Sequence, residues 1–261
     1  MINNKKVFAI VMAAGKGTRI GATDKPKVMF EVADKPIIGW AIEPLDQLKK
    51  EGIIDRIITV VGFYGDQVIN YLGERSEYVW QEEQLGTGHA AKQAEKLIDG
   101  EDGLTVIVNG DHALYTKETF LKIINDSINK NLTLAFATVN SPTLFDDYGR
   151  VIRDDAGKVA GVIEKKDATD EQQKIEERNI NLYVADNKWL FGALNKIKDN
   201  NVKKEYYLTD VIKIAVDEGL SVEGIAIDNK EEAIGINTEE DRLTTEKILK
   251  QKRKRFDPSG S

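Results

Sequence analysis

The chain of 261 residues has no cysteine, which excludes a disulfide framework, a thiolate zinc site and a cysteine nucleophile. Long apolar runs are lacking too. None reaches the roughly 18 uninterrupted apolar residues needed to cross a bilayer. The first run, residues 7–12, leads into Gly15-Lys16-Gly17 and not into the small-residue cleavage site of a secretory leader. Basic charge is in deficit: 37 Lys and Arg against 44 Asp and Glu leave a formal net charge of −7, which argues against general affinity for nucleic acid. A basic cluster (Lys250, Lys252, Arg253, Lys254, Arg255) closes the chain, where cations complement a helix C-terminus. Repeats and low-complexity linkers are absent. What remains, 41% apolar and 31% charged, suits one ordered core with a solvated surface. We therefore expect a cytoplasmic protein with one domain over residues 1–250, a basic flexible tail over 251–261, and neither a membrane nor a nucleic-acid partner.

Apolar runs of strand length alternate with segments of helical period, the pattern of a largely parallel sheet flanked by helices. Strands are expected at 7–12, 53–61, 78–80, 104–108, 132–139, 182–185 and 221–227. Helices are expected at 36–50, 65–72, 87–98, 116–130, 171–177, 188–198, 208–217 and from Glu239 onward, with Thr238 as N-cap. Between them, 150–153 and 159–163 read as a β-hairpin around Asp154-Asp155-Ala156-Gly157.

Chemistry enters at Ala13-Ala14-Gly15-Lys16-Gly17-Thr18-Arg19, directly after the first strand. Small residues allow a tight turn whose N–H groups can point at phosphate oxygens, and Lys16 and Arg19 add positive charge. The segment fits neither GxxxxGK[ST] nor GxGxxG, so by composition it reads equally as a phosphate loop or as an ordinary βα turn. Pro26 stiffens Lys25-Pro26-Lys27 and would aim Lys27 back toward that loop.

These motifs, with Gln81, Gln84-Leu85-Gly86-Thr87-Gly88-His89-Ala90, Gly110-Asp111, Tyr148-Gly149-Arg150, Glu164-Lys165-Lys166-Asp167-Ala168, Asn179, Glu205-Tyr206-Tyr207-Leu208-Thr209-Asp210 and Asn237, occur in order. Together they resemble the uridylyltransferase domain of the bacterial bifunctional N-acetylglucosamine-1-phosphate uridyltransferases, within the sugar-phosphate nucleotidyltransferase family. The resemblance covers residues from about 7 to about 243. It implies a Rossmann-like α/β fold with a mixed, mostly parallel sheet and a small β-hairpin insertion on the sugar side. It also implies transfer of uridylate from UTP to a sugar 1-phosphate with Mg²⁺ as cofactor. Carried over residue by residue, Arg19 and Lys27 would act on the reacting phosphates. Ala13, Ala14, Gly15 and Gly17 would hold the nucleotide phosphates, and Gln81, Gly86 and Thr87 would read uracil. Gly149, Glu164 and Asn179 would contact the sugar, and Asp111 and Asn237 would bind the metal.

Departures from that family's pattern cluster on the sugar side. Asn109 stands where an aromatic residue is usual, His112-Ala113 where an apolar residue and proline are usual, and Ile180-Asn181 where Thr-Gly is usual. N-acetylglucosamine 1-phosphate is the first expectation for the sugar. Another hexose 1-phosphate, thymidine triphosphate as donor, or a catalytically dead sugar-nucleotide-binding module are the alternatives. The family's left-handed β-helix acetyltransferase repeats do not occur in these residues.

Overall fold

A run of consecutive apolar residues can only be satisfied as a strand covered on both faces, and residues 6–12 show this. In β1 (Lys6–Met12), Val7, Ala9 and Val11 face one core cluster, and Phe8, Ile10 and Met12 face another. The structure is a computed structural model describing residues 5–141 and 145–256, with side chains as far as Arg253. After β1 come a two-stranded ribbon, β2 (Glu31–Val32) and β3 (Lys35–Pro36), then α1 (Ile37–Lys50), β4 (Arg56–Val61), α2 (Gly65–Leu72) and β5 (Glu77–Trp80). Next are α3 (Thr87–Lys92), α4 (Glu95–Ile98), β6 (Gly103–Asn109), α5 (Lys117–Asn129) and β7 (Leu134–Asn140). The hairpin β8 (Arg150–Arg153) and β9 (Val159–Ile163), then α6 (Asp170–Gln173) and β10 (Glu177–Asp186), follow. The chain continues through α7 (Asn187–Leu194), α8 (Asp210–Asp217), β11 (Val222–Ala226) and α9 (Glu239–Phe256).

The main sheet runs β11-β7-β10-β6-β1-β4-β5. β1 lies parallel to β4 and β6, and β4 to β5. β10 alone in this row runs antiparallel, between β6 and β7, so the mixed, mostly parallel sheet expected from the resemblance is present. Strand order reverses direction at β1, with β4 and β5 to one side and β6 to the other. Crevices at such a switch point, outside strand C-termini, are where open α/β sheets bind ligands.

Several expected boundaries shift for local reasons. Ile53 and Ile54 belong to the turn after α1, where both amides donate to the Leu48 carbonyl. The helix expected at 87–98 breaks in two: the Gln93 side chain takes the His89 carbonyl at 3.1 Å, while the Gln93 amide donates to Ala90 instead. The helix expected over 171–177 ends at Gln173, started by a reciprocal Thr169–Gln172 capping box. β10 reaches back to Glu177, five residues before the strand expected at 182–185. α9 runs past residue 250 to Phe256, and Arg253 donates to Asp34 at 2.9 Å and lies over the Trp40 ring. The expected tail from 251 therefore begins inside a docked helix, and 257–261 lie outside the described residues. No helix among the described residues is long and apolar enough to cross a membrane.

Candidate active site

The turn after β1 is set by close backbone approaches. A Cβ on Gly62, just past β4, would stand 2.9 Å from the Ala14 carbonyl oxygen. Gly17 has φ +76°, and a Cβ there would lie 2.4 Å from the Lys27 Cβ. Only glycine lets the turn and the lysine share this space. Lys27 opens a single 3₁₀ turn directly after Pro26 and points across the C-terminal ends of β1 and β6. There its ammonium donates to Asp111 Oδ2 and to Asn237 Oδ1 at 2.9 Å. Arg19 Nη2 donates to the same Asn237 Oδ1 at 2.9 Å.

Asn237 is positioned by the start of α9. Asp241 Oδ2 accepts from the Asn237 and Thr238 amides, and Thr238 Oγ1 caps Asp241 in return. The Ile236 amide donates to the Asp111 carbonyl at 3.0 Å, which pins this segment to the end of β6. Burial pushes the Asp111 carboxyl up, but the Lys27 ammonium and neighbouring His112 more than offset it and hold the group below its ordinary value. Asp111 Oδ1 is buried with no hydrogen-bond partner.

Two connected lobes open around this point. A cleft of ≈ 310 Å³ is lined by Ala13, Ala14, Gly15, Arg19, Lys27, Gln81, Gln84, Gly86 and Thr87 among others. A larger one of ≈ 690 Å³ is lined by Tyr148, Gly149, Glu164, Asn181, Tyr207 and Thr209 among others. Arg19, Thr87, Asn109, Asp111, Glu205 and Asn237 line both. Of the residues expected to bind nucleotide, Gly17 alone is outside the lining. Its geometry serves Lys27.

The loop of the first lobe is zipped to the segment leading into α8. The Tyr206 amide donates to Leu85, the Gly88 amide to Tyr206, and the Leu208 amide to Thr87 Oγ1 at 2.9 Å. Gln81, 5% exposed, donates to the Gly86 carbonyl at 3.1 Å. Gln84, not singled out from sequence as a site residue, donates to the Ala14 carbonyl at 2.7 Å and so ties this loop to the glycine-rich turn. Glu205, which lines both lobes, was likewise visible only as part of the Glu-Tyr-Tyr motif.

Of the residues that the resemblance gives to the sugar, Gly149 and Glu164 line the larger lobe and Asn179 does not. Asn179 is 1% exposed, and its amide is held by the Tyr183 hydroxyl at 2.7 Å. Asn181 takes the lining position instead. Glu164 Oε1 accepts from Thr209 at 3.1 Å. Burial raises the Glu164 carboxyl above its ordinary value, against the Thr209 hydrogen bond and the Lys203 charge. Among the described residues no group of three or more His, Asp and Glu gathers as a metal cluster. An oxygen-preferring ion here would rely on Asp111, Asn237 and ligand oxygens.

A sheet with one antiparallel strand, a glycine-rich turn at its switch point and a cation–carboxylate cluster where two lobes meet suit a protein that handles phosphorylated ligands. The chain belongs to the nucleotidyl transferase family, whose profile matches residues 8–244. It is 42% identical over 250 residues to the bifunctional protein GlmU of Limosilactobacillus reuteri, covering 95% of this chain and 52% of that protein. With GlmU of Enterococcus faecalis it shares 38% identity over 244 residues, covering 93% and 52% respectively. The chain thus spans about half the length of these relatives. A crystal structure of UDP-glucose pyrophosphorylase complexed with UDP-glucose matches with a TM-score of 0.75 over 95% of this chain and 99% of that one. At 18% identity that likeness shows a common fold.

Proposed function

We propose that the chain transfers a uridylyl group from UTP to a sugar 1-phosphate, N-acetylglucosamine 1-phosphate first, and releases pyrophosphate. The observation that carries this reading is the meeting of two lobes at Arg19, Asp111 and Asn237, with Lys27 bridging the last two. Joining a triphosphate to a monophosphate brings two polyanions together, and this cluster sits where they would touch. Gln81, Gly86 and Thr87 would receive the base, and the turn at Ala13, Ala14 and Gly15 the phosphates. Gly149 and Glu164 would face the sugar.

A sugar-phosphate oxygen attacks the α-phosphorus in line, a P–O bond to it forms, and the bond to the β-phosphate oxygen breaks. The nucleophile is already an anion, so no residue has to remove a proton. Lys27 and Arg19 would exchange their bonds to Asp111 and Asn237 for bonds to phosphate oxygens, and lower the repulsion between reactants. Asp111 Oδ1, which has no hydrogen-bond partner and only His112 Nε2 at 3.7 Å beside it, and the Asn237 amide oxygen are hard donors that fit a divalent ion, Mg²⁺ by preference. Bound there, it would supply charge neutralisation on the phosphates. A cytoplasmic location belongs to the same reading, since nucleoside triphosphates are cytoplasmic metabolites.

Pyrophosphate release, assayed over a panel of nucleoside triphosphates and sugar 1-phosphates with and without Mg²⁺, tests it. Release from UTP with an N-acetylhexosamine 1-phosphate, abolished by chelator, is expected. Release from no pair would favour a binding module without catalysis.

A further inference from the structure

β10 is irregular where it passes the larger lobe. Its pairing with β7 slips between Asn179 and Tyr183, and the residue inside the slip, Asn181, has φ +60°. Asparagine tolerates the left-handed region better than most residues, yet glycine is the residue that region favours. Both neighbours are anchored. The Ile180 side chain is fully buried, and its carbonyl accepts from the Tyr115 hydroxyl. The Asn179 amide donates to Tyr183. Asn181 is therefore held in its conformation by what surrounds it, and it lines the lobe. Its Oδ1 lies only within 3.5 Å of Asn179 Nδ2 and Tyr183 Oη, and its Nδ2 has no hydrogen-bond partner among the described residues. A backbone strained to present an amide with spare donors toward a cleft points to a ligand.

We infer that Asn181 determines sugar specificity, its Nδ2 donating to an oxygen substituent on the ring of the sugar 1-phosphate. The inference rests on the uridylyltransferase reading above and deepens it. Asn109, half-buried and lining both lobes, offers another amide whose side chain has no partner among the described residues. The larger lobe thus discriminates by hydrogen bonds to a hydroxyl or acetamido oxygen and not by shape alone. A site built to donate to a substrate oxygen rejects analogues that cannot accept far more strongly than an apolar pocket rejects a missing methylene.

Steady-state kinetics of the full chain with N-acetylglucosamine, glucose and galactose 1-phosphates at saturating UTP test this. Asn181→Gly relieves the backbone and removes the amide. Its melting midpoint should not fall below wild type, while KM for the preferred sugar phosphate rises at least about tenfold. KM for UTP should stay within about twofold, and the ratio of kcat/KM between sugars should flatten by about tenfold or more. Asn181→Asp keeps the shape and the backbone tolerance but loses the donor, and should act in the same direction. Active wild type with unchanged sugar preference in both variants overturns the assignment and leaves the uridylyltransferase reading standing. A wild type that releases no pyrophosphate from UTP with any sugar phosphate sinks both.

Discussion

The Lys27 ammonium lies between Asp111 Oδ2 and Asn237 Oδ1, and Arg19 shares the second acceptor. Both cations are thus already aimed at the junction of the two lobes before any ligand arrives, and on the reading proposed above they would trade these acceptors for phosphate oxygens. Lys27→Ala, Arg19→Ala and Asp111→Ala should each reduce turnover by about 10²- to 10³-fold, measured as pyrophosphate release. Asp111→Ala with near-normal turnover would remove the metal assignment. Another titratable group, Asp210, follows Thr209 of the larger lobe's lining. Burial, with the nearby Asp167 carboxylate, raises Asp210 from 3.8 to about 6. Because the native state then holds this proton longer than the unfolded chain, stability falls as pH rises between about 4 and 6. Asp210→Asn should lose that decline, seen in urea midpoints taken from about pH 4 to about pH 7. A slope unchanged by the substitution would assign the pH response elsewhere.

At the scale of elements, the loop entering α3 couples the two lobes. Gly86 has φ +117°, and a Cβ there would stand 2.6 Å from the Tyr206 carbonyl oxygen and 2.8 Å from its amide nitrogen. Gly86→Ala must push apart the loop carrying Gln81 and Thr87 and the segment carrying Tyr207 and Thr209. It should raise KM for both substrates and cost about 1–3 kcal/mol of stability, read from denaturant unfolding. A variant with changed KM for only one substrate would show that the lobes are independent. The helical and strand periods of α1, α2, α5 and β1 are plain in the sequence because each buries a continuous apolar face. The first half of β10, Glu-Arg-Asn-Ile-Asn, carries no such pattern. It is a strand because Glu177, Arg178 and Asn179 find partners in β7, and Arg178 also pairs with Arg150 of β8.

For the whole molecule, the site draws on the ends of β1 and β6, the β5–α3 loop, the hairpin and the segment before α9, which are distant in sequence. Ligands that bridge these parts bind only the folded chain, so they must stabilise it. UTP with Mg²⁺ at about 100 times Kd should add about 2.7 kcal/mol, or about 5–10 °C in melting midpoint. Chelation by EDTA should remove most of that gain. A shift equal with and without chelator would mean the nucleotide binds without the ion.

The sequence by itself determined the sheet-and-helix alternation, the glycine-rich turn and the identity of the charged residues. Each of these is written in local periodicity or in residue type. It also carried Arg19, Lys27, Asp111 and Asn237 by resemblance, and folding brings these four together. Tertiary structure alone decided which asparagine lines the larger lobe. Strand alternation is a rule of two, and one slip in pairing between Asn179 and Tyr183 buries the first amide and turns Asn181 outward. Such a slip is set by partners on β7, β8 and Tyr115, far along the chain, so the local sequence marks Ile180-Asn181 as unusual without saying which amide is buried.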